Sequence, residues 1–491
     1  MKKKLVFIFV SFFLTVFFRV PYIFPYFSNV DEPEYALCGY KLLKNRMIYK
    51  EIFENKGFGL GYIYLFFMKI FKTNYLFSVH FFYILILLLN TFLIFKIVEK
   101  ISNRETAHWS LILYPALNTL FYPVDIHKGP EFVVVLLLLL AWFFLIYFTS
   151  FFYMILSSFF IGLSLFFKQF GLILIIGFSF LVYYYTKNFK KSFFYFISGI
   201  TPFILFLFYL YKRGLFSDWI IWNIKYPLFL ASHIPLWKKI YSVFPMVFRA
   251  LFLNPFLLIF SIFFLREKKG RNDFLLILFI TFLWGAIHGL PFPHHYILFF
   301  TVMIIISIIG FTIFLSKKFY GEKIIFNTIL IFSILQSIFY WHGFDYYKKW
   351  INFLKNKEWT KDYEVKKYEG IVKFIIENTE KDEKIIVWPF NPKIYLLTNR
   401  EPGTRFIILD PVIGQTFANF TKIFQYQLAE KFFIEDIEIN NVRLFIDATD
   451  NSLINMSFFK LEKYPNILKV LEEKFVFEKE INGFKVYRRV K

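Results

Sequence analysis

Long apolar runs recur through the first two thirds of the chain, and they constrain its fold more than any other feature. Each run is about 18 to 25 residues long, which is the length an α-helix needs to cross the hydrocarbon core of a bilayer. Apolar side chains make up 58% of the 491 residues, and the mean hydropathy is +0.53. A chain of this composition is too apolar to be a water-soluble globular protein. The pattern predicts a polytopic α-helical membrane protein.

Hydropathy predicts about eleven transmembrane helices. The first begins after the basic start MKKK, and its apolar run continues without a small-residue cleavage site, which favours an uncleaved span over a signal peptide. The pair between 151 and 185 is separated only by the segment FFKQFG. The predicted limits are residues 5–27, 75–98, 107–124, 130–149, 151–167, 170–185, 191–211, 243–265, 273–290, 295–316 and 323–341.

The basic residues indicate how these helices are oriented. The net charge is +22, and Lys and Arg cluster in alternate short loops such as TKNFKKS, LREKKGRND and LSKKFYGEK. Clusters of this kind mark the cytoplasmic side. The pattern predicts a multi-pass protein of the plasma or inner membrane, with a cytoplasmic N-terminus and an extracytoplasmic C-terminus. Topology therefore accounts for the basic charge, and the expected partners include membrane lipids but no nucleic acid.

Residues 342–491 differ from the rest because charged residues are frequent and no apolar run is long enough to span a bilayer. EKIIVWPF, TRFIILD and NVRLFIDAT are typical of short buried strands, and YEGIVKFIIENT has helical spacing. The sequence predicts a transmembrane catalytic domain at 1–341, with long outer loops at 28–74 and 212–242. It also predicts a small extracytoplasmic α/β domain at 342–491.

Three carboxylates fall within four residues at the start of the first outer loop, in the segment NVDEPEYALCGYKLL: Asp31, Glu32 and Glu34. One interpretation is a capping box, with Asp31 as the N-cap of a helix that lies amphipathically in the membrane interface. The other is a general base at the membrane surface. The two are compatible, because a capping carboxylate can also accept a proton.

Lys56 lies in the same loop, within FENKGFGLGY. It can be a lysine that reaches from the interface to water. The flanking Gly57 and Gly59 instead indicate a backbone that closely approaches a ligand. An acidic cluster and a lysine on one loop at a membrane surface fit a base and an anion clamp.

With these residues the chain resembles glycosyltransferase family 39, which includes protein O-mannosyltransferases and the aminoarabinose transferases of lipid A. The resemblance rests on the pattern D-E-x-x-Y after the first span and on the lysine and glycine-rich turn that follow. It also rests on LFFKQFGLILI, on PHHYILFFTVMI, and on the segment from IVKFIIENTEKDEK to TNREPGTRF, in that order along the chain. The family implies a GT-C fold and a polyprenyl-phosphate sugar as donor.

The resemblance also implies roles for these residues. Asp31 would be the base that takes the proton from the acceptor hydroxyl, and the anomeric carbon would be inverted. Glu32 would orient the loop or the acceptor, and Tyr35 is a further candidate. Lys56 would hold the donor phosphate as negative charge develops on the leaving oxygen. The acceptor can be a lipid, a glycan or a protein.

Further candidates lie on the outer side. Lys168 interrupts an apolar region, so it either reaches to water or contacts the phosphate. His294 and His295 precede Tyr296 at the entrance to a late span. Adjacent histidines point in different directions on a regular helix, so we expect them to contact the donor phosphate rather than to bind a metal.

Two other groups of polar and aromatic residues are expected to be structural. A mixed-charge set in the second outer loop is typical of an ion network: Asp125, His127, Lys128 and Glu131. Three tryptophans of the long loop at 212–242 are typical of interfacial anchors, although they can also stack on a sugar: Trp219, Trp222 and Trp237.

The sequence contains no Gly-rich nucleotide loop and no H-E-x-x-H or paired C-x-x-C spacing. No cofactor and no metal are therefore predicted. The main alternative function is a transporter or lipid flippase, which would typically show internal repeats and charged, broken helices at mid-membrane. Neither is found, and a membrane scaffold with a partner-binding outer domain is the third interpretation.

Overall fold

The computed structural model describes most of the chain. The described ranges are residues 2–19, 31–72, 75–118, 129–148, 150–233, 235–252, 254–265, 270–287, 293–316, 363–414, 426–451 and 459–490, with residues 328 and 331. Apart from residues 328 and 331, the predicted span at 323–341 lies outside these ranges.

The described residues are mainly helical. In chain order the helices are α1 (Lys2–Arg19), α2 (Glu32–Leu43), α3 (Gly59–Phe71), α4 (Tyr75–Ile101), α5 (Arg104–Leu117), α6 (Pro130–Tyr147), α7 (Phe151–Leu163), α8 (Gly171–Thr186), α9 (Phe189–Lys212), α10 (Phe216–Ile220), α11 (Tyr226–Ser232), α12 (Leu236–Phe252), α13 (Pro255–Phe264), α14 (Arg271–Ala286), α15 (Ile297–Ser316), α16 (Tyr363–Asn378), α17 (Pro392–Thr398), α18 (Asp410–Ile413), α19 (Gln427–Ile439) and α20 (Pro465–Lys474). A π-helical turn, Ile221–Lys225, joins α10 to α11. Short 3₁₀ turns are Ser164–Phe166, Pro293–Tyr296, Thr449–Asn451 and Leu461–Lys463.

The chain divides into two compact units. The first unit contains Met1–Pro25, Leu76–Lys212 and Pro235–Lys355, and the second contains Tyr26–Tyr75, Arg213–Ile234 and Asn356–Lys491. The second unit therefore joins residues of both predicted outer loops to C-terminal residues. The predicted domain boundary at 341/342 remains a prediction, because residues 332–362 lie outside the described part.

The first unit is a bundle of apolar helices around α15. This helix packs against α5, α6, α13 and α14, and nearly all of its residues are buried. Glycines allow close approaches between helix backbones. A Cβ added to Gly310 of α15 would lie 1.8 Å from the carbonyl oxygen of Phe260 on α13. A Cβ on Gly162 of α7 would lie 2.0 Å from the carbonyl oxygen of Gly199 on α9.

Within the described part, four helical segments are long and apolar enough to cross a membrane: Tyr75–Ile101, Pro130–Tyr147, Phe189–Lys212 and His294–Ser316. Shorter apolar helices accompany them, including Phe151–Phe166 and Gly171–Thr186, which correspond to the closely spaced predicted pair. The prediction of a polytopic helical membrane protein is confirmed. The count of eleven spans remains a prediction.

One predicted span proves to be two helices. Residues 243–265 were expected to be continuous, but α12 ends at Phe252 and α13 begins at Pro255. Asn254 between them has φ −131° and ψ 80°, which is not helical. A proline lacks the backbone N–H and disfavours the helical conformation of the preceding residue, so the break follows from the Asn-Pro step.

The second unit contains a mixed sheet with the strand order β2-β1-β3-β5-β4. The strands are β1 (Lys384–Trp388), β2 (Glu401–Pro402), β3 (Leu444–Asp447), β4 (Phe475–Ile481) and β5 (Phe484–Arg489). β1 pairs in parallel with β2 and β3, whereas β5 is antiparallel to β3 and β4. Helix α16 and strands β1 and β3 lie where the sequence predicted a helix and two strands.

The predicted strand TRFIILD is not a strand. Residues 404–409 are irregular, and α18 begins at Asp410. The edge of β1 is already paired with Glu401–Pro402. The backbone of Arg405 bonds elsewhere: its carbonyl accepts from the N–H of Phe53 at 2.7 Å, and its N–H donates to Asp436 at 2.8 Å.

The antiparallel hairpin of β4 and β5 was not anticipated from the sequence. Its turn residues Asn482 and Gly483 have φ values of 50° and 80°. Positive φ at both central residues is characteristic of the type I′ hairpin turn, for which Asn-Gly is a strong signal. The Asn-Gly dipeptide in the segment INGF therefore indicates this hairpin turn from the sequence alone.

Candidate functional site

The start of α2 presents the predicted base. Asp31 occupies the N-cap position, but its side chain makes no capping hydrogen bond, and Pro33 follows in the first turn. The expected capping box is therefore not formed. Instead the carboxylate of Asp31 is about one third exposed and lies 4.0 Å from the Nζ of Lys56. An exposed carboxylate is what a base needs in order to reach an acceptor.

Lys56 is held in the same place by several contacts. Its Nζ donates to Glu34 at 3.2 Å and to the Tyr35 hydroxyl at 3.4 Å, and it lies 5.1 Å from the centre of the Tyr35 ring. Its backbone N–H donates to Glu54 at 2.8 Å. The structure thus brings together Asp31, Glu34, Tyr35 and Lys56, four residues that the sequence placed on one loop.

The charge of Lys56 is strongly stabilised. Burial acts to lower its pKa, but Glu34, Tyr35 and Asp31 outweigh burial and hold the pKa well above the usual value for lysine. Because Glu34 is almost completely buried, a buried anion is balanced by this cation. The ammonium also carries positive charge to within 4 Å of Asp31.

Glu32 is placed differently from its neighbours. It is fully buried, and the hydroxyl of Tyr64 on α3 donates to its carboxylate at 3.0 Å. Close packing surrounds this bond, since a Cβ on Gly39 of α2 would lie 2.6 Å from the Cβ of Tyr64. Of the two roles expected for Glu32, orienting the loop fits this position better than contact with an acceptor.

Sequence reasoning missed Asp410, which starts α18 in the same unit. Burial raises the pKa of Asp410 well above its usual range, Glu34 and Asp31 raise it further, and Lys56 opposes them. We call Asp31, Glu34, Lys56 and Asp410 the acidic cluster. No motif marked Asp410 in advance, because the chain brings it to α2 across more than 370 residues of sequence.

Helix α2 was expected to lie in the membrane interface, and this expectation is wrong. Ten of its residues, from Glu32 to Lys41, are buried within the second unit. Lys41 donates to the carbonyl of Thr404 at 2.9 Å. Arg46, just beyond the helix, makes a two-pronged ion pair with Glu401, with both bonds at 2.9 Å. The helix is therefore enclosed by protein, with its two ends fixed.

Trp222 was expected to anchor in the interface or to stack on a sugar, but it is fully buried. Its ring packs edge-on against Phe53 at 5.1 Å and against Phe406 at 5.5 Å, measured between ring centres. The side-chain amide of the adjacent Asn223 donates to the backbone carbonyl of Glu54 at 2.9 Å. These contacts hold the segment that carries Lys56.

A second cluster lies in the first unit, and we call it the histidine cluster: Glu131, Lys168, His294 and His295. Glu131 is in the first turn of α6, and Lys168 is in the turn before α8. The two histidines form the 3₁₀ turn that precedes α15. Three chain segments that are distant in sequence therefore meet.

The histidine cluster is closely packed. Lys168 Nζ lies 2.8 Å from Glu131 Oε1, and both side chains are over 90% buried. One ligand atom from each of Glu131, His294 and His295 lies within 4.8 Å of the others. The ion network expected around Glu131 thus includes Lys168. Asp125, His127 and Lys128 lie outside the described residues.

Tyr296 closes the histidine turn. It is fully buried, and its ring fits against Gly285 of α14, where an added Cβ would lie 2.7 Å from the ring. Among the described residues its hydroxyl has no hydrogen-bond partner. Tyr296 directly follows His295 of the histidine cluster in the chain.

No protein-family model matches the sequence, and neither does any curated protein sequence. Solved structures do match it over nearly the whole chain. ArnT from Cupriavidus metallidurans, bound to undecaprenyl phosphate, superposes with a TM-score of 0.61 at 9% identity, covering 99% of this chain and 98% of that one.

Two structures from Archaeoglobus fulgidus are also similar. The oligosaccharyltransferase tethered to an acceptor peptide gives a TM-score of 0.54, and the oligosaccharyltransferase AglB in complex with an inhibitory peptide and a dolichol-phosphate gives 0.50. Each is 12% identical, with 99% of this chain and 74% of that one covered. The likeness extends through the membrane helices and the C-terminal residues alike. The chain therefore has the GT-C fold.

Proposed function

We propose that this protein is a membrane glycosyltransferase that moves a sugar from a polyprenyl-phosphate donor to a hydroxyl or phosphate of an acceptor, with inversion at the anomeric carbon. The observation that carries the proposal is the partly exposed carboxylate of Asp31 beside the Lys56–Glu34 ion pair. Structures of similar fold were solved with undecaprenyl phosphate and dolichol-phosphate. The same likeness favours a transferase over the transporter or flippase alternative.

The chemistry needs few groups. Phosphate is already a good leaving group, so the reaction requires no strong general acid. It requires a base for the acceptor proton and cations for the charge that develops on the leaving phosphate. Asp31 is the proposed base, and Glu32 holds α2 on α3 so that Asp31 is correctly oriented.

The proposed phosphate contacts are Lys56, Lys168, His294 and His295. An ammonium has three N–H donors, and the described contacts of Lys56 with Glu34 and Tyr35 use two of them. One donor can therefore be directed at a phosphate oxygen. Lys168 supplies a second ammonium, and the imidazoles of His294 and His295 supply further N–H donors.

In the proposed topology the N-terminus is cytoplasmic, and the acidic cluster and the C-terminal α/β domain are extracytoplasmic. The distribution of Lys and Arg supports this orientation. A tag after Lys491 should be accessible from outside intact cells, whereas a tag within residues 266–273 should not. An inaccessible tag after Lys491 would instead mean an even number of spans, with the closely spaced pair at 151–185 as the first to be revised.

The direct test is Asp31→Asn. The substitution keeps size and hydrogen bonding but removes the charge of the base, so we expect transfer to fall by roughly 100-fold or more. Product formation is measured in proteoliposomes with a polyprenyl-phosphate sugar. Thermal stability on the same samples controls for folding. Activity within a few fold of the wild type would exclude Asp31 as the base.

A further inference from the structure

Two imidazoles and one carboxylate of the histidine cluster lie close together. One ligand atom from each of Glu131, His294 and His295 lies within 4.8 Å of the others, and Glu131 and His295 are buried. Among the described residues, Glu131, His294 and His295 are the set of at least three potential metal ligands whose ligand atoms lie within this distance of one another. Small side-chain adjustments bring such atoms to the separations found around a bound ion.

The positions of the two rings show how adjacent histidines can act together. On a regular α-helix two neighbouring side chains diverge by about 100°, which is why the sequence suggested that they make a poor ligand pair. A 3₁₀ turn separates neighbouring side chains by about 120°, yet the ring centres of His294 and His295 are only 4.3 Å apart, with the ring planes inclined by 75°. Both rings can therefore offer a nitrogen to one position that also faces Glu131.

We propose that Glu131, His294 and His295 bind one zinc ion. Two imidazoles with one carboxylate form a zinc donor set that leaves the fourth tetrahedral position open, and nitrogen ligands favour zinc over magnesium or calcium. Glu131 has two oxygens. Oε1 contacts Lys168 at 2.8 Å, and in the proposed site Oε2 would be the oxygen that coordinates the zinc.

The charges indicate the fourth ligand. Lys168 already balances Glu131, so a zinc ion gives the cluster an excess of about two positive charges at a mostly buried position. Such a site is stabilised by an anion, and a phosphate oxygen can coordinate the zinc while another accepts from Lys168. This fourth ligand rests on the proposed function, in which the anion is the donor phosphate, and with zinc bound the two histidines contact that phosphate through the metal instead of by direct N–H donation. The three protein ligands do not depend on it.

In this arrangement the binding of zinc and the binding of phosphate should be coupled. If the phosphate neutralises the charge that zinc introduces, each ligand should bind more tightly when the other is present, and by the same factor. We expect zinc affinity to rise by roughly 5-fold or more when undecaprenyl phosphate is added, within the usual range of coupling.

The test uses the full-length protein in detergent, stripped with a chelator, reloaded with zinc and desalted, with zinc measured by inductively coupled plasma mass spectrometry. We expect one zinc per chain in the wild type and a large loss in Glu131→Gln, His295→Ala and His294→Ala. His294 is partly exposed, so its variant is the least disruptive to folding. Cobalt loading gives a second readout, because visible absorption bands report coordination by imidazole nitrogens.

His233→Ala, at an exposed histidine in the second unit, is the matched control and should keep its zinc. Equal zinc in the wild type and in all three ligand variants, or none in the wild type, would overturn the site. Asp31→Asn separates the two proposals, because it should lose transfer and keep zinc. If zinc binds but undecaprenyl phosphate leaves its affinity unchanged, the assignment of the fourth ligand is wrong.

Discussion

At the scale of single residues, the acidic cluster brings three carboxyl groups close together, and proteins rarely group acidic side chains in this way without a neighbouring cation. A buried carboxylate is costly unless it is paired, and Glu34 is paired with Lys56 at 3.2 Å. The ion pair leaves Asp31 as the more exposed carboxylate of the two. Lys56 therefore has two possible contributions, one to the position of Asp31 and one to the donor phosphate.

Substitutions of Lys56 separate these contributions. Lys56→Met keeps length and apolar contact but removes the charge, whereas Lys56→Arg keeps the charge with a planar head that fits differently. If Lys56 contacts the phosphate, Lys56→Met should raise KM for the donor and lower kcat, and Lys56→Arg should be milder. If it only positions Asp31, kcat should fall with little change in KM. Donor titrations measure both constants, and normal values in Lys56→Met would exclude both roles.

Lys41 gives a pH test of the packing around α2. Burial lowers its pKa to about 8, although Glu401 and Asp436 oppose the shift. Between pH 8 and the usual value of about 10.4, the unfolded chain binds more protons than the folded chain. The contribution of Lys41 to the free energy of unfolding should therefore rise with pH in this window.

The measurement is Tm against pH for the wild type and Lys41→Met. We expect the difference in Tm between the two proteins to change in favour of the wild type from pH 8 to 10. Lys44→Met, at an exposed position just beyond the same helix, controls for the loss of a lysine. Parallel curves for wild type and Lys41→Met would contradict the expectation.

At the scale of elements, small residues set the distances between the membrane helices. Apolar side chains gain little by leaving lipid for protein, so close backbone packing at glycine is a main source of stability between such helices. The crossing of α7 and α9 shows this at Gly162, where a Cβ would lie 2.0 Å from a backbone oxygen. A backbone atom cannot move out of the way of an added Cβ as a flexible side chain can.

The same crossing offers a matched pair of substitutions. Gly162→Ala should separate α7 from α9 and lower Tm by several degrees, consistent with overpacking that costs about 1 to 3 kcal/mol. Gly199→Ala should be milder, because the nearest atom to its Cβ is a methyl of Ile175 at 3.0 Å. Thermal unfolding of the two variants in detergent checks the order. An equal or larger loss in Gly199→Ala would show that backbone contact does not control this crossing.

At the scale of the whole molecule, the sequence predicted most elements that depend on local pattern. Apolar length predicts the membrane helices, and short apolar runs predict β1 and β3. The failures have long-range causes. TRFIILD is not a strand because its backbone bonds to Phe53 and Asp436, and α2 is buried because residues near 400 cover it.

The candidate sites divide in the same way. Asp31 and Lys56 were predictable as a group because one loop carries both. Asp410, and the meeting of Glu131 with His294 and His295, required distant segments to come together, which no local pattern reveals. Adjacent histidines were expected to diverge, but the rings of His294 and His295 lie 4.3 Å apart in the turn Pro293–Tyr296.

The central claim is that the chain transfers a sugar from a polyprenyl-phosphate donor with Asp31 as base. The most direct measurement is mass spectrometry of lipids and glycans from cells that contain the wild type, Asp31→Asn at the same protein level, or neither. We expect a sugar-bearing product with the wild type alone, and accumulation of the polyprenyl-phosphate sugar in the other two. Identical lipid and glycan profiles in all three, or the same product with Asp31→Asn as with the wild type, would contradict it.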